Sequence, residues 1–241
     1  MAAPSDPFQK LSRFYKEVSV EPEGRGFALR LDGRTPRTPQ ARPLFLPTDA
    51  LADLIAGEWR SQGDWIAYAS MPATRLAHTA IDAIPAARRL TVEDVVRYAG
   101  ADLLCYFADA PARLSRRQEA IWGPLLEWAR EAHGLAFVRT AGIVHRPQPA
   151  ATLARFSDLL AAVDDFTLAG VAFAAALFGS AILALALRDG RVNADEAMAA
   201  ARLDEIFQEE RWGVDAEAAD KADAMAVEAV MLERWFAALS G

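Results

Sequence analysis

Three histidines, one cysteine and a surplus of carboxylates are the side chains in this 241-residue sequence whose types could do chemistry. Acid–base work needs a titratable group held within hydrogen-bond reach of a partner, and a thiol nucleophile needs a neighbour that lowers its pKa. Neither pattern is legible. His78, His133 and His145 stand singly. His133 precedes Gly134, where a helix C-terminus and its dipole favour a basic residue. His78 lies about 120° from the helical face of Ala77, Ala80 and Ile84, so solvent is its expected environment. Cys105, in DLLCY, has no His or Lys beside it and reads as a buried structural thiol. No Walker loop, complete G-x-G-x-x-G, H-E-x-x-H, paired C-x-x-C or G-x-S-x-G occurs. No catalytic, cofactor-binding or metal-binding residue is therefore assigned.

Two groups of polar residues stand out by position. In TDALADLIAGEWRSQGDW, helical projection puts Glu58 and Gln62 on the face of Leu51, Leu54 and Ile55, with Trp59 close beside them. Polar groups on a core-facing stripe must find partners or cost about 1 to 3 kcal/mol each. Either they sit at the stripe's edge or pair with Arg, or they bind a partner directly. In NADEAMAARLDEIFQEERWG, read as one helix, Ala199, Leu203, Ile206 and Phe207 form one face, and Glu205, Gln208, Glu209 and Trp212 project from the opposite one. A Trp on the polar side suits a protein interface. The alternative is that Trp212 folds back at Gly213; Glu209-Glu210 alone would be only a solvated face.

The elements that must position these residues change character along the chain. Val18 and Val20, then Phe27, Leu29 and Leu31, alternate as in strands before the Asp32-Gly33 turn signal, and prolines at 36, 39, 43 and 47 break the next stretch into short pieces. From Thr48 the periodicity is helical. Thr48 is placed to cap a helix, and Thr91/Asp94, Ser115/Gln118 and Asn193/Glu196 have capping-box spacing. Gly63, Gly134 and Gly190 fall where helices should stop, and Pro111, Pro147 and Pro149 interrupt the rest. Strands followed by helices predict an α+β fold, with a β-rich part over residues 1–47 and a larger helical part over 48–241.

Formal net charge is −7, which argues against nucleic acid as a partner. Acidity is concentrated: from Asp189 to Gly241 there are 13 Asp/Glu against 5 Lys/Arg, while the rest of the chain carries 20 and 21. FTLAGVAFAAALFGSAILALAL, from Phe166 to Leu187, is 22 residues without a charge, long enough to span a bilayer of roughly 30 Å. Its richness in Ala and Gly, the break at Gly179-Ser180 and the lack of flanking basic clusters favour a buried helix pair instead. A single cysteine and no secretory signal predict a reducing cytoplasm.

RFYKEVSV, LDGRTPRTP, GEWRSQ, MPATRLAHTAID, DLLCY, QEAIWGPLLEW, GSAILALAL and RLDEIFQEERWG occur in the order seen in the ATP synthase assembly chaperones that serve the alpha subunit of the catalytic head. The sequence resembles that family from about Arg13 to Gly213. The resemblance implies no catalysis, no cofactor, no membrane insertion and a monomer that binds the free alpha subunit and prevents its aggregation until beta subunits replace it. It implies a folding role for Trp59 and places Gln62 and Asp102 in family motifs. Glu205, Gln208, Glu209 and Trp212 fall in the late motif and are the expected contacts with alpha. A missing mitochondrial leader and an Ala/Arg-rich composition predict a bacterial member. Two other readings remain: a small cytoplasmic enzyme with a carboxylate/histidine site between sheet and helices, and a module anchored through Phe166–Leu187.

Overall fold

A computed structural model of the chain describes residues 11–142 and 144–240. Two compact units emerge, residues 11–82 with 238–240, and residues 83–237.

The first unit starts from the predicted strands. β1 (Leu11–Ser12), β2 (Val18–Glu23), β3 (Gly26–Leu31) and β4 (Phe45–Leu46) precede helix α1 (Asp49–Arg60); β5 (Trp65–Ile66) and α2 (Pro72–Asp82) come after it. β2 and β3 form an antiparallel hairpin in which Val20 faces Leu29, and β4 pairs with β3 through Leu46 opposite Phe27. β1 and β5 make a separate two-stranded ladder. The last strand before α1 ends at Leu46, but the unit continues to Asp82 because α1 packs on β2, β3 and β4 and on α2. A three-stranded sheet with one face uncovered would be marginal, and the α1 stripe of Leu51, Ile55 and Trp59 supplies the missing cover.

Thr48 caps α1 as its position predicted: its Oγ1 accepts from Leu51 N at 3.1 Å and donates to Ala238 O at 2.6 Å. The Asp32-Gly33 turn is also present, and both residues have positive φ. Asp32 stabilises it by accepting from the backbone N–H groups of Lys16 and Glu17, which hold its carboxyl below the usual range.

The second unit is helical: α3 (Ile84–Gly100), α4 (Ala112–His133), α5 (Ala150–Ala161), α6 (Asp165–Phe178), α7 (Ala181–Arg188), α8 (Ala194–Ala201), α9 (Leu203–Trp212) and most of α10 (Ala216–Leu239). β6 (Tyr106–Phe107) and β7 (Thr140–Ala141) add one short parallel ladder. The fold is α+β, as the order of patterns predicted.

The apolar stretch breaks where expected. Gly179 ends α6 in the left-handed region, and the Ser180 hydroxyl caps α7 by accepting from Leu183 N. Every residue from Ala181 to Leu187 is buried, and α6 packs on α3 and α7. No helix among the described residues is long and apolar enough to cross a membrane.

Two expected caps are not caps. Thr91 lies inside α3, where its hydroxyl bonds back to Ala87 O, and Ser115 lies inside α4, which begins after Pro111. Spacing alone misled here because a capping box needs an extended residue at the cap, and both positions sit within continuous helix. Asn193 and Glu196 do form the reciprocal box that starts α8.

Candidate interaction site on the acidic helices

The late acidic segment is two helices rather than one. Arg202 leaves helical ψ at 20° between α8 and α9, and the inward face is carried by Ala197, Ala200, Ala201, Leu203 and Phe207. Ala199, expected inside, is exposed, and Ile206 is half-buried. The break at Arg202 sets each helix's orientation separately, so one wheel drawn through both misplaces the first.

α9 is fastened to α4 by its own acids. Asp204 accepts from Gln118 Nε2 at 2.7 Å and Glu210 meets Arg117 at 2.6 Å, while the Trp122 indole of α4 ties down the end of α8 by donating to Ala200 O at 2.9 Å. Glu209 does not project freely: its carboxylate is 2.6 Å from Arg202 and both side chains are largely covered. An ion pair covered to this extent fixes geometry more surely than it adds stability. Glu205, Gln208 and Trp212 are exposed, Trp212 at 73 %, with the Arg211 guanidinium 5.3 Å from its ring centre. The fold-back alternative for Trp212 therefore does not occur.

Glu205, Gln208, Glu209 and Trp212 fall on one face of α9 by helical spacing. Its Glu205–Glu209 edge borders an open groove of about 620 Å³ that runs to the first half of α10, with Leu103, Leu177 and Phe178 below and Ala222 and Met225 on α10, while Gln208 and Trp212 lie outside the groove lining. Glu205 and Glu209 line its α9 side.

Glu58 and Gln62, the other polar pair, are internal connectors of the first unit. Glu58 caps α2: its Oε1 accepts from Ala73 N and its Oε2 from Thr74 N and Thr74 Oγ1, all at 2.7 Å. Desolvation still raises its pKa. Gln62, buried, accepts from Ala67 N at 2.7 Å and donates to Glu58 O. Their direct hydrogen-bond partners are mainly backbone groups and hydroxyls of the same unit, and Arg75 adds an electrostatic interaction that favours the charged form of Glu58. Trp59 is buried against Tyr15, whose hydroxyl donates to Trp59 O at 2.7 Å.

Among the described residues the titratable groups do not converge on a reaction centre. His133 Nε2 and Asp189 Oδ2 are 2.7 Å apart at the end of α4, and His145 Nδ1 meets Tyr106 Oη at 2.8 Å on the surface. His78, expected in solvent, is half-buried, and desolvation lowers its pKa. Cys105 is buried and its thiol pKa is pushed up by desolvation, the reverse of nucleophile activation. Among the described residues no group of three or more His, Cys, Asp or Glu could hold a metal ion. Gln118, whose spacing to Ser115 predicts a capping box, is instead fully buried, accepting from Ala108 N and donating to Asp204. Its only advance signal was its polarity on the Leu114–Trp122 face of α4.

The family model described as ATP12 chaperone protein matches residues 12–130. The crystal structure of Atp12 from Paracoccus denitrificans superposes with a TM-score of 0.89 at 38% identity, covering 94% of this chain and 97% of that one. The chain belongs to the ATP12 chaperone family. The Atu1473 protein of Agrobacterium tumefaciens is similar at 39% identity and a TM-score of 0.88, over 95% of this chain and 86% of that one. Mitochondrial protein atp12 of Schizosaccharomyces pombe is 25% identical over 219 residues, 86% of this chain and 75% of the relative. ATP12 proteins are assembly chaperones of ATP synthase and not enzymes, which removes the carboxylate/histidine reading.

Proposed function

We propose that this ATP12 chaperone binds the free alpha subunit of the ATP synthase catalytic head and keeps it from aggregating until beta subunits take its place. Glu205, Gln208 and Trp212 contact the client, and Glu209 orients that face through Arg202. The observation that carries the reading is Trp212, 73 % exposed on a helix whose Asp204, Glu209 and Glu210 are already engaged within the protein. A large exposed aromatic loses much of its contact with water when a partner covers it, which is why Trp dominates interface hot spots. Release requires only that beta bind alpha more tightly than the chaperone does, so no cofactor or hydrolysis is needed. The chaperone acts as a monomer in a bacterial cytoplasm, a setting supported by the Paracoccus and Agrobacterium relatives.

Co-purification with tagged alpha subunit tests the proposal, together with light scattering of alpha diluted from denaturant. Enrichment of alpha and suppressed scattering are expected. Absence of both would remove alpha as the client.

A further inference from the structure

The two halves of α10 have different surroundings. Ala229, Met231, Leu232, Trp235 and Phe236 are buried, and the Trp235 ring stacks on Phe166 with its indole N–H donating to Phe166 O at 3.2 Å. Residues 216–228 are exposed or half-buried throughout. This leading half is therefore held from its far end and stands over the groove without closing it. Ala218, Ala222 and Met225, spaced as one helical stripe, face Leu103, Leu177 and Phe178 across about 620 Å³ of open space. That volume holds a few side chains rather than a whole helix.

Charge sets the chemistry of the occupant. From Leu203 to Glu228 there are nine acidic residues and two basic ones, so this stretch alone carries as much net charge as the whole chain. Arg202 on the groove wall is neutralised by Glu209 at 2.6 Å. Glu205 is exposed at the rim with no ion pair among the described residues, and Glu217 flanks the α10 stripe; Lys221 is the cation facing them. Asp220 and Asp223 lie on the outer side of α10, about one helix diameter of 10 Å away, where salt screens most of their effect at a Debye length of about 8 Å. Within the lining Lys221 offsets Glu205 as Arg202 offsets Glu209, so the net negative field over the groove comes from the acids that flank it, Glu217 nearest along α10 and the more distant ones adding to its sign.

We propose that the groove between α9 and the leading half of α10 is the docking site for a short segment of the client that inserts two or three apolar side chains and places a Lys or Arg beside Glu205. Trp212, two turns beyond Glu205 and outside the groove lining, offers the client a second contact. That the client is the alpha subunit rests on the proposed function; the groove and the chemistry of its occupant are additional to it.

Binding of the full-length chaperone to purified alpha subunit, measured as Kd at low and high salt, tests this with two variants. Ala222→Trp fills the groove and should weaken binding about tenfold or more. Glu205→Lys alters an exposed, unpaired rim residue, should leave folding intact, and should weaken binding severalfold while flattening its salt dependence. A photo-crosslinker at position 218 should capture an alpha segment with apolar residues at helical spacing and at least one Lys or Arg. Wild-type binding with both variants within twofold of it would overturn the groove while leaving alpha as client, and so would capture of an acidic segment. Self-association of the chaperone that Ala222→Trp abolishes would assign the groove to a second copy and overturn the proposal. No binding of alpha by the wild type would remove the alpha reading and this proposal with it. If Ala222→Trp fails to fold, Glu205→Lys and the crosslink decide.

Discussion

Asp102 and Ser180, 78 residues apart in sequence, meet in the interior at 2.7 Å through a hydrogen bond from the Ser180 hydroxyl to Asp102 Oδ1. The same carboxylate accepts from Leu104 N at 3.1 Å and Ile182 N at 3.0 Å, while Ser180 Oγ accepts from Leu183 N. One fully buried acid therefore closes the start of α7 and the turn that comes after α3. The break in the apolar stretch is stable because its free backbone donors have these two acceptors.

Burial pushes the Asp102 carboxyl up to about 6, against the hydrogen bonds from Ile182, Ser180, Leu104 and Ala181 that favour its charged form. A raised folded-state pKa means that the native protein holds the proton more tightly than the unfolded chain. Its contribution to stability is fully present below the unfolded value and is lost as pH rises through about 6. Asp102→Asn removes this titration and turns an amide N–H₂ towards a donor. Urea unfolding should show wild type exceeding Asp102→Asn by more at pH 5 than at pH 7, because at neutral pH relief of the desolvated charge offsets part of the lost bond. A gap that narrows on acidification would contradict the assignment.

Gly170 sits where α6 meets α10. A Cβ built there would lie 2.8 Å from Phe236 Cε1 and 2.9 Å from Trp235 Nε1, closer than real contacts allow. Both rings are buried and cannot swing clear without disturbing the core. Gly170→Ala should cost about 1 to 3 kcal/mol by overpacking. Hydrogen exchange should speed up in the second half of α10 before it does so in α3.

How much of this was legible depended on whether the decisive interaction is local. The Thr48 and Asn193 caps and the Gly134 and Gly179 stops depend on neighbours within four residues, and sequence spacing reports such contacts directly. Glu58, Gln62 and Gln118 were visible only as polar residues on apolar faces; their partners, backbone groups together with the Thr74 hydroxyl and the Asp204 carboxylate, are brought in by folding, which no periodicity encodes. Ala199 was misplaced because one non-helical residue, Arg202, resets the wheel. On α9, spacing placed Glu205, Gln208, Glu209 and Trp212 on one face, but not that Glu209 is held by Arg202. The groove was not legible at all, since it arises from the distance between α9 and α10.

Glu58→Ala should unfold the first unit more readily. It leaves Ala73 N, Thr74 N and the Thr74 hydroxyl without their acceptors at a helix start. Loss of such a cap costs about 0.5 to 2 kcal/mol, and more where the donors are buried as Ala73 and Thr74 are. Thermal melts followed by circular dichroism should drop by several degrees for Glu58→Ala and by less for Glu58→Gln, which keeps one acceptor oxygen. Equal melting of all three proteins would show that α2 needs no cap from α1.

Trp212→Ala separates binding from stability most sharply. At 73 % exposure the indole contributes little to folding, and substitutions at such surface positions usually change stability by no more than about 0.5 kcal/mol. As the central aromatic of a client interface it should account for about 2 kcal/mol or more, roughly a thirtyfold loss of affinity for alpha. Trp59→Ala is the contrasting variant: that indole is buried against Tyr15, and truncating a large core aromatic costs about 3 to 5 kcal/mol. The expected pattern is therefore crossed, with Trp212→Ala folded but weak in binding and Trp59→Ala poorly folded. Paired measurement of urea midpoints and alpha affinity checks it. If Trp212→Ala bound alpha as tightly as wild type, the exposed ring would lie outside the interface, and α9 would contact the client only through its groove side.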